Sequence, residues 1–228
     1  VKNNGTGKYF GQIIERPACL KDIPRYYRRH GLPEDIVTGA LESLVGEEKP
    51  IAVLLTSIMT YWYPGVRETI SLVRKILPGI PIGLGGIYAA LMPEHAQRVC
   101  QPDRLFTGCD INPVLQWLST LPGNEIPYQP VAAEFSSWPA PAYDLYGRLD
   151  YLALMTSLGC PFRCDYCASR ILQPRLQRLA PDTFVEQLLS LLPLVTPIQG
   201  KCHIAITDDA LLVDAQRHII PILRRVQD

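Results

Sequence analysis

The run Ile51-Ala-Val-Leu-Leu-Thr56 decides the fold class, because an unbroken apolar stretch of this length predicts a strand buried on both faces. A helix is predicted from Pro64, which suits the first helical position, until Pro78-Gly79 ends it. Residues 80–84 and 104–107 form two more apolar segments, each followed by helical spacing. This alternation predicts an α/β domain with a doubly wound parallel sheet and right-handed crossovers.

The same rhythm returns after a segment rich in proline and glycine. Residues 121–148 contain these residue types throughout and show no sustained periodicity, which is typical of a linker. Beyond it, strands are predicted at 151–156 and 202–207, each followed by an amphipathic helix. The sequence therefore predicts a first domain at 1–120, a linker at 121–148 and a second domain at 149–228 that begins with two βα units.

Composition narrows the class of protein. The chain is 47% apolar and carries 22 basic and 22 acidic residues, so its net charge of zero argues against nucleic-acid binding. No apolar run approaches the ~18 residues that span a bilayer, and no signal peptide opens the chain. These features predict a cytoplasmic protein that has no membrane partner. The seven cysteines are not a disulfide framework, and four are expected to be small buried hydrophobes: Cys19, Cys100, Cys109 and Cys202.

The remaining three cysteines form the motif Gly159-Cys160-Pro-Phe-Arg-Cys164-Asp-Tyr-Cys167. Three thiolates on one loop after a strand can converge on a metal, and soft thiolates are the ligands of iron-sulfur clusters. Three cysteines can hold three irons of a 4Fe-4S cluster and leave the fourth open, as catalysis requires. A structural zinc site is the alternative; it would need Cys202 or His203 as a fourth ligand, and the spacing fits zinc poorly.

With a preceding strand that ends Thr-Ser-x-Gly, this motif resembles the radical S-adenosylmethionine superfamily. The resemblance implies that Cys160, Cys164 and Cys167 hold a 4Fe-4S cluster that cleaves S-adenosylmethionine reductively to methionine and a 5′-deoxyadenosyl radical. It places Tyr166 at the aromatic position near the adenine. It also implies an electron donor such as flavodoxin or ferredoxin, and a substrate, small molecule or other, that the sequence does not identify.

Asp208-Asp209 follow the next predicted strand at its carboxyl end. Many members of the family carry acidic residues there that face the methionine ammonium, so the resemblance implies a charge-assisted hydrogen bond to S-adenosylmethionine. An N-cap for the following segment is the alternative role of these two residues. The resemblance further implies that residues 149–228 are the first βα units of a partial TIM-like barrel.

The first domain resembles the Rossmann-like cobalamin-binding domain that precedes many radical S-adenosylmethionine domains. Ser57 follows one strand and Gly85-Gly86, expected to form a tight turn, follow the next; the family encloses the cobalamin nucleotide tail with such residues. The Asp-x-His-x-x-Gly segment that supplies a cobalt ligand in some cobalamin proteins is absent, so we expect either a missing amino-terminal strand or a member without that histidine. The implied activity is cobalamin-dependent, such as methyl transfer to an unactivated carbon.

Two other interpretations stay open at this stage. A tRNA methylthiotransferase shares the domain order but carries further cysteines for a second cluster in its first domain. A non-catalytic cobalamin-binding fragment is the other, because a barrel with two βα units would be open and would expose a sheet edge. In either case we expect the chain to be a fragment of a longer protein.

Overall fold

The computed structural model describes residues 11–16, 18–23, 26–45 and 50–227, and the chain divides into two compact units. Residues 1–50 and 71–80 form the first unit, and residues 51–70 and 81–228 form the second. The predicted domain boundaries at 120 and 149 remain predictions.

The first unit contains a hairpin and a helix. β1 (Gly11–Ile13) pairs antiparallel with β2 (Arg28–His30), and α1 (Glu34–Val45) follows with two acidic residues in its first turn, where they complement the helix dipole.

The second unit begins with the predicted parallel sheet. Three strands lie in the order β3-β4-β5 and pair in parallel: β3 (Val53–Ser57), β4 (Ile82–Gly85) and β5 (Arg104–Leu105). Between β3 and β4 the chain forms α2 (Tyr63–Ile76), whose residues from 71 onward belong to the first unit. α3 (Gly86–Leu91) and α4 (Pro93–Cys100) connect β4 to β5, and α5 (Asn112–Ser119) follows β5. At Gly83 in the central strand, a Cβ would collide with the side chains of Leu54 and Phe106. These two side chains therefore occupy the space that a side chain at position 83 would fill.

Two expectations for this sheet are wrong. β3 is not buried on both faces, because Leu54 is 49% exposed; the strand is at the edge of the described sheet and only alternate side chains are covered. Gly85-Gly86 do not form a tight turn. Gly86 adopts φ +84° and α3 begins there, so the chain passes from strand to helix without a separate loop.

The cysteine-containing half of the second unit has a parallel strand pair and a short antiparallel pair. β6 (Leu152–Leu154) pairs with a later strand in parallel, and β7 (Ser157–Leu158) pairs with β8 (Gln177–Arg178) antiparallel. The other elements here are α6 (Ser169–Leu172), α7 (Pro181–Leu191), β9 (Ile204–Ile206), which is the partner of β6, and α8 (Ile219–Gln227). Phe184 and Leu188 of α7 and Ile219 and Ile222 of α8 belong to one buried apolar cluster.

Within the described residues, β6 and β9 are the only parallel strands of this half. A closed (β/α) barrel requires eight strands and is not seen, so the assignment of residues 149–228 to the start of a partial barrel remains a prediction. The far edge of β6 is protected locally, because the Tyr143 hydroxyl donates to the Ala153 carbonyl at 2.5 Å and accepts from its N–H at 3.2 Å. The predicted linker is thus partly packed: Phe135 is also buried, and its N–H donates to Gln177. Among the described residues, no helix is long and apolar enough to cross a membrane.

Candidate functional site

The cysteine motif lies in a loop, residues 159–176, that we name the cysteine loop. β7 and β8 close its base, with Ser157 paired to Arg178 and Leu158 to Gln177. Gly159 opens the loop with φ +86°, and its Cα lies so close to the carbonyl of Arg175 that a side chain could not be accommodated. The two ends of the loop are therefore held together before the first cysteine.

The three thiols are free, and their environments differ. Cys160 and Cys167 are partly buried, whereas Cys164 is exposed. The Cys167 N–H donates to the carbonyl of Cys164 at 3.1 Å, which forms a tight turn. The Ser169 hydroxyl, 3.3 Å from the Cys167 sulfur, and the Ser169 N–H lower the pKa of that thiol and favour the thiolate that binds metals.

Within the described residues, no group of three or more His, Cys, Asp or Glu side chains is arranged to hold a metal ion. Convergence of Cys160, Cys164 and Cys167 on one centre therefore remains a prediction. Tyr166 stands between the last two cysteines and is 93% exposed, so its ring is accessible.

Asp208, which is partly buried, makes hydrogen bonds to the two residues that lead from β6 into β7. Its Oδ1 accepts from the Thr156 N–H at 2.7 Å, and its Oδ2 accepts from the hydroxyls of Thr156 at 2.5 Å and Ser157 at 2.6 Å. The Thr156 hydroxyl also lies 2.8 Å from Nε2 of His218. We name these four residues the Asp208 clamp; Thr156, Ser157 and His218 are each no more than 3% exposed. Sequence reasoning missed these three partners, because the contacts join distant positions. Thr156 and Ser157 lie 52 and 51 residues before Asp208, and His218 lies 62 residues after Thr156.

Asp209 has a different environment. It is exposed, and its negative charge raises the pKa of Cys167, in opposition to the hydrogen bonds from Ser169. Of the two neighbouring carboxylates, that of Asp209 is therefore accessible, whereas that of Asp208 is engaged by Thr156 and Ser157.

The buried position of His218 predicts a dependence of stability on pH. Burial lowers its pKa and the charge of Arg178 lowers it further, while Asp208 and Asp214 act in the opposite direction. A lowered folded-state pKa means that the unfolded chain binds the proton more readily, so stability is present above the ordinary histidine pKa of about 6.5 and is lost as the pH falls below it. Urea unfolding at pH 5.5 and 7.5 should show a larger loss in the wild type than in His218→Gln. Equal losses would contradict the prediction.

The predicted cobalamin contacts come together at the carboxyl edge of β3 and β4. Ser57 and Gly86 form a parallel bridge, and a Cβ on Gly86 would lie 2.8 Å from the Ser57 carbonyl oxygen and 2.9 Å from its nitrogen. The Ser57 hydroxyl donates to the Met59 carbonyl at 2.9 Å. An exposed apolar segment follows, with Ile58 and Trp62 57% and 48% exposed.

Packing within the second unit brings this edge toward the cysteine motif. α3, which begins at Gly86, lies against α6, which begins two residues after Cys167. The sequence lacks a signal for this contact, since α6 has only four residues and no periodicity. A cavity of about 200 Å³ lies nearby between the segment after β5 and the cysteine loop, and its lining includes Cys109, Asp110 and Arg175.

Three of the four scattered cysteines differ from the prediction that they are buried. Cys100 is buried as predicted, and its sulfur lies 3.8 Å from the hydroxyl of Tyr88. Cys19, Cys109 and Cys202 are exposed, so the prediction that they are buried hydrophobes is wrong. Cys109 and Cys202 fall in connecting segments and Cys19 in a three-residue 3-10 helix that buries none of its residues, so little apolar surface is covered at any of the three.

Comparison with known proteins finds a similarity to a curated protein. The chain is 24% identical over 225 aligned residues to the Uncharacterized methyltransferase PH0819 of Pyrococcus horikoshii. The alignment covers 87% of this chain and 48% of that protein, so the chain spans about half the length of its relative. No protein-family model matches the sequence. No solved structure matches it.

Proposed function

We propose that this chain belongs to a radical S-adenosylmethionine enzyme whose 4Fe-4S cluster is held by Cys160, Cys164 and Cys167. The cysteine loop carries the proposal: three thiols share one loop, which is closed at its base and follows the carboxyl end of a parallel strand pair. Ligand sites of parallel α/β folds lie at that end of the strands. Similarity to a protein named as a methyltransferase supports the use of S-adenosylmethionine. The activity is proposed for the whole protein, since the chain spans 48% of that relative.

The donor set fits a cluster better than zinc. Zinc requires a fourth protein ligand in a structural site, and Cys202 and His203 were the candidates. Both precede β9, whereas the cysteine loop follows β6. Because β6 and β9 are parallel, these two residues lie at the opposite end of the pair from the loop. Three thiolates alone match a cluster with an open iron.

When bound, the cluster would supply the electron that cleaves the sulfonium bond of S-adenosylmethionine. The role of the protein would be to hold the cluster and to orient S-adenosylmethionine. The three thiolates would hold three irons, and the exposed carboxylate of Asp209 is available to accept hydrogen bonds from the methionine ammonium. The exposed ring of Tyr166 is available to pack near the adenine.

We further propose cobalamin as a second cofactor and methyl transfer, to an unactivated carbon, as the reaction class. Ser57, Gly85 and Gly86 would contact its nucleotide tail, because the two glycines carry no side chain and the backbone of Gly86 is exposed at this edge. The contact between α3 and α6 supports a cofactor position between this edge and the cysteine loop.

Anaerobic reconstitution with iron and sulfide tests the cluster. We expect the 228-residue chain to take up about four irons and Cys164→Ala to lose most of this iron, because a cluster needs all three thiolates. Iron and sulfide analysis, together with the electron paramagnetic resonance (EPR) spectrum after dithionite reduction, measures the effect. Formation of 5′-deoxyadenosine on addition of S-adenosylmethionine measures cleavage.

Cys202→Ala is the matched control, since it removes another exposed cysteine outside the loop. It should leave the iron content unchanged. Zinc in place of iron, or iron uptake that survives Cys164→Ala, would contradict the proposal. About eight irons per chain would favour a two-cluster methylthiotransferase. A titration with hydroxocobalamin, followed by visible spectra, decides the cobalamin part; absence of binding would remove it.

A further inference from the structure

In the Asp208 clamp, the carboxylate of Asp208 makes its hydrogen bonds to other residues of the protein. Both carboxylate oxygens accept hydrogen bonds from the residues between β6 and the start of β7, through the Thr156 N–H and the hydroxyls of Thr156 and Ser157. Charge-assisted hydrogen bonds of this length are the strong class, and their strength increases where water is excluded. To bind a cofactor, Asp208 would have to break some of these three hydrogen bonds, which would cost free energy.

The direction of each hydrogen bond follows from the carboxylate. A carboxylate only accepts, so the hydroxyls of Thr156 and Ser157 must donate to Asp208. The oxygen of Thr156 is then left to accept from the Nε2–H of His218 at 2.8 Å. This chain of hydrogen bonds links His218, directly before α8, to Thr156 after β6 and to Asp208 after β9.

The clamp acts close to the cysteine loop. Ser157 begins β7, whose pairing with β8 forms the base of that loop, and Cys160 is three residues further along the chain. β8 is also tied to the segment after β9, because Arg178 donates to the Val213 carbonyl at 2.7 Å and pairs with Asp214 at 3.5 Å. Residues 208–218 therefore hold both strands at the base of the loop.

We propose that Asp208 is a positioning residue that orders the base of the cysteine loop, and that it does not bind S-adenosylmethionine directly. The consequence for cofactor binding rests on the proposed function. If Asp208 is engaged inside the protein, Asp209 is the one of the two adjacent carboxylates that is free to bind the methionine ammonium. The ordering itself is a property of the metal-free chain.

The test compares Asp208→Asn and Asp208→Ala with Asp209→Asn. Asp182→Asn is the matched control, since it also removes a carboxylate, but an exposed one on α7 that pairs with Arg225 outside the base of the loop. Hydrogen exchange of amides 156–160 is measured in the metal-free chain, and the EPR spectrum of the reduced, reconstituted chain is recorded without S-adenosylmethionine. The affinity for S-adenosylmethionine is then measured by equilibrium binding.

We expect Asp208→Ala to accelerate exchange at these amides by roughly ten- to a hundredfold, as loss of a charge-assisted hydrogen bond implies, and to broaden the EPR signal. Asp208→Asn keeps the volume and one acceptor oxygen, so it should show the same changes to a smaller degree. Asp209→Asn should leave exchange and the cofactor-free spectrum unchanged and weaken S-adenosylmethionine binding. The control should change none of these quantities.

Loss of S-adenosylmethionine affinity in Asp208→Asn, with unchanged exchange and an unchanged cofactor-free spectrum, would identify Asp208 as a ligand and overturn the inference. Unchanged exchange in both Asp208 variants would also overturn it, even if the melting temperature falls. Failure of the wild-type chain to hold a cluster would instead overturn the proposed function. The exchange measurement does not depend on a cluster, so the two failures are read separately.

Discussion

Gly159→Ala is expected to lower the free energy of unfolding by roughly 3–5 kcal/mol, from backbone strain and overpacking together. Gly159 adopts φ +86°, a conformation that alanine reaches only with strain. A Cβ at this position would also collide with the carbonyl of Arg175 and lie 3.0 Å from the carbonyl oxygen of Gln173. These are backbone atoms, so relief requires β7 and β8 to separate and the base of the cysteine loop to open.

Gly200→Ala is the control that separates strain from collision. Gly200 has a similar φ of +73°, but nothing lies within 4 Å of the position that a Cβ would occupy there. Its replacement should cost only the conformational strain, about 1–2 kcal/mol. Urea unfolding of both variants measures the difference. If Gly159→Ala costs no more than Gly200→Ala, close backbone packing at the loop base is contradicted.

Gly86→Ala, at the carboxyl edge of β3 and β4, is expected to lower the free energy of unfolding by roughly 2–5 kcal/mol. Backbone strain and overpacking again both contribute. Gly86 has φ +84°, and its Cβ would meet the Ser57 backbone at 2.8 and 2.9 Å and collide with the Thr56 side chain. Because Ser57 and Gly86 form a parallel bridge, the substitution should force apart the carboxyl ends of β3 and β4.

Gly79→Ala provides the comparison, since Gly79 has φ +80° with no atom within 4 Å of a Cβ. We expect a loss of about 1–2 kcal/mol for this variant. Denaturant midpoints for the pair, with hydrogen exchange at the amides of residues 55–57, locate the effect. Exchange at these amides that stays at wild-type rates in Gly86→Ala would show that the strands do not separate.

The alternation of apolar and helical segments was enough to predict the parallel sheet, because each strand and helix carries its own periodicity. Predicted strands at 51–56, 80–84 and 104–107 correspond to Val53–Ser57, Ile82–Gly85 and Arg104–Leu105. Their exposure was less predictable: Leu54 is half exposed because it lies in an edge strand, and position in a sheet is a tertiary property.

Short elements escaped prediction for a different reason. β7 and β8 have two residues each and α6 has four, so none is long enough to show a period. These elements form the base of the cysteine loop and its contact with α3. The part of the site that positions the cysteines was therefore the part least visible in the sequence.

Local patterns were sufficient to predict the α/β class, the parallel strands and the three-cysteine motif, because periodicity and residue spacing are local properties of a chain. The different environments of Asp208 and Asp209 became visible only in the folded chain. These neighbours have the same charge and are equivalent in the sequence, but one accepts hydrogen bonds from Thr156 and Ser157 and the other is exposed. Hydrogen bonds between residues 51 and 52 positions apart form only when β6 and β9 pair, and that pairing decides which carboxylate remains accessible.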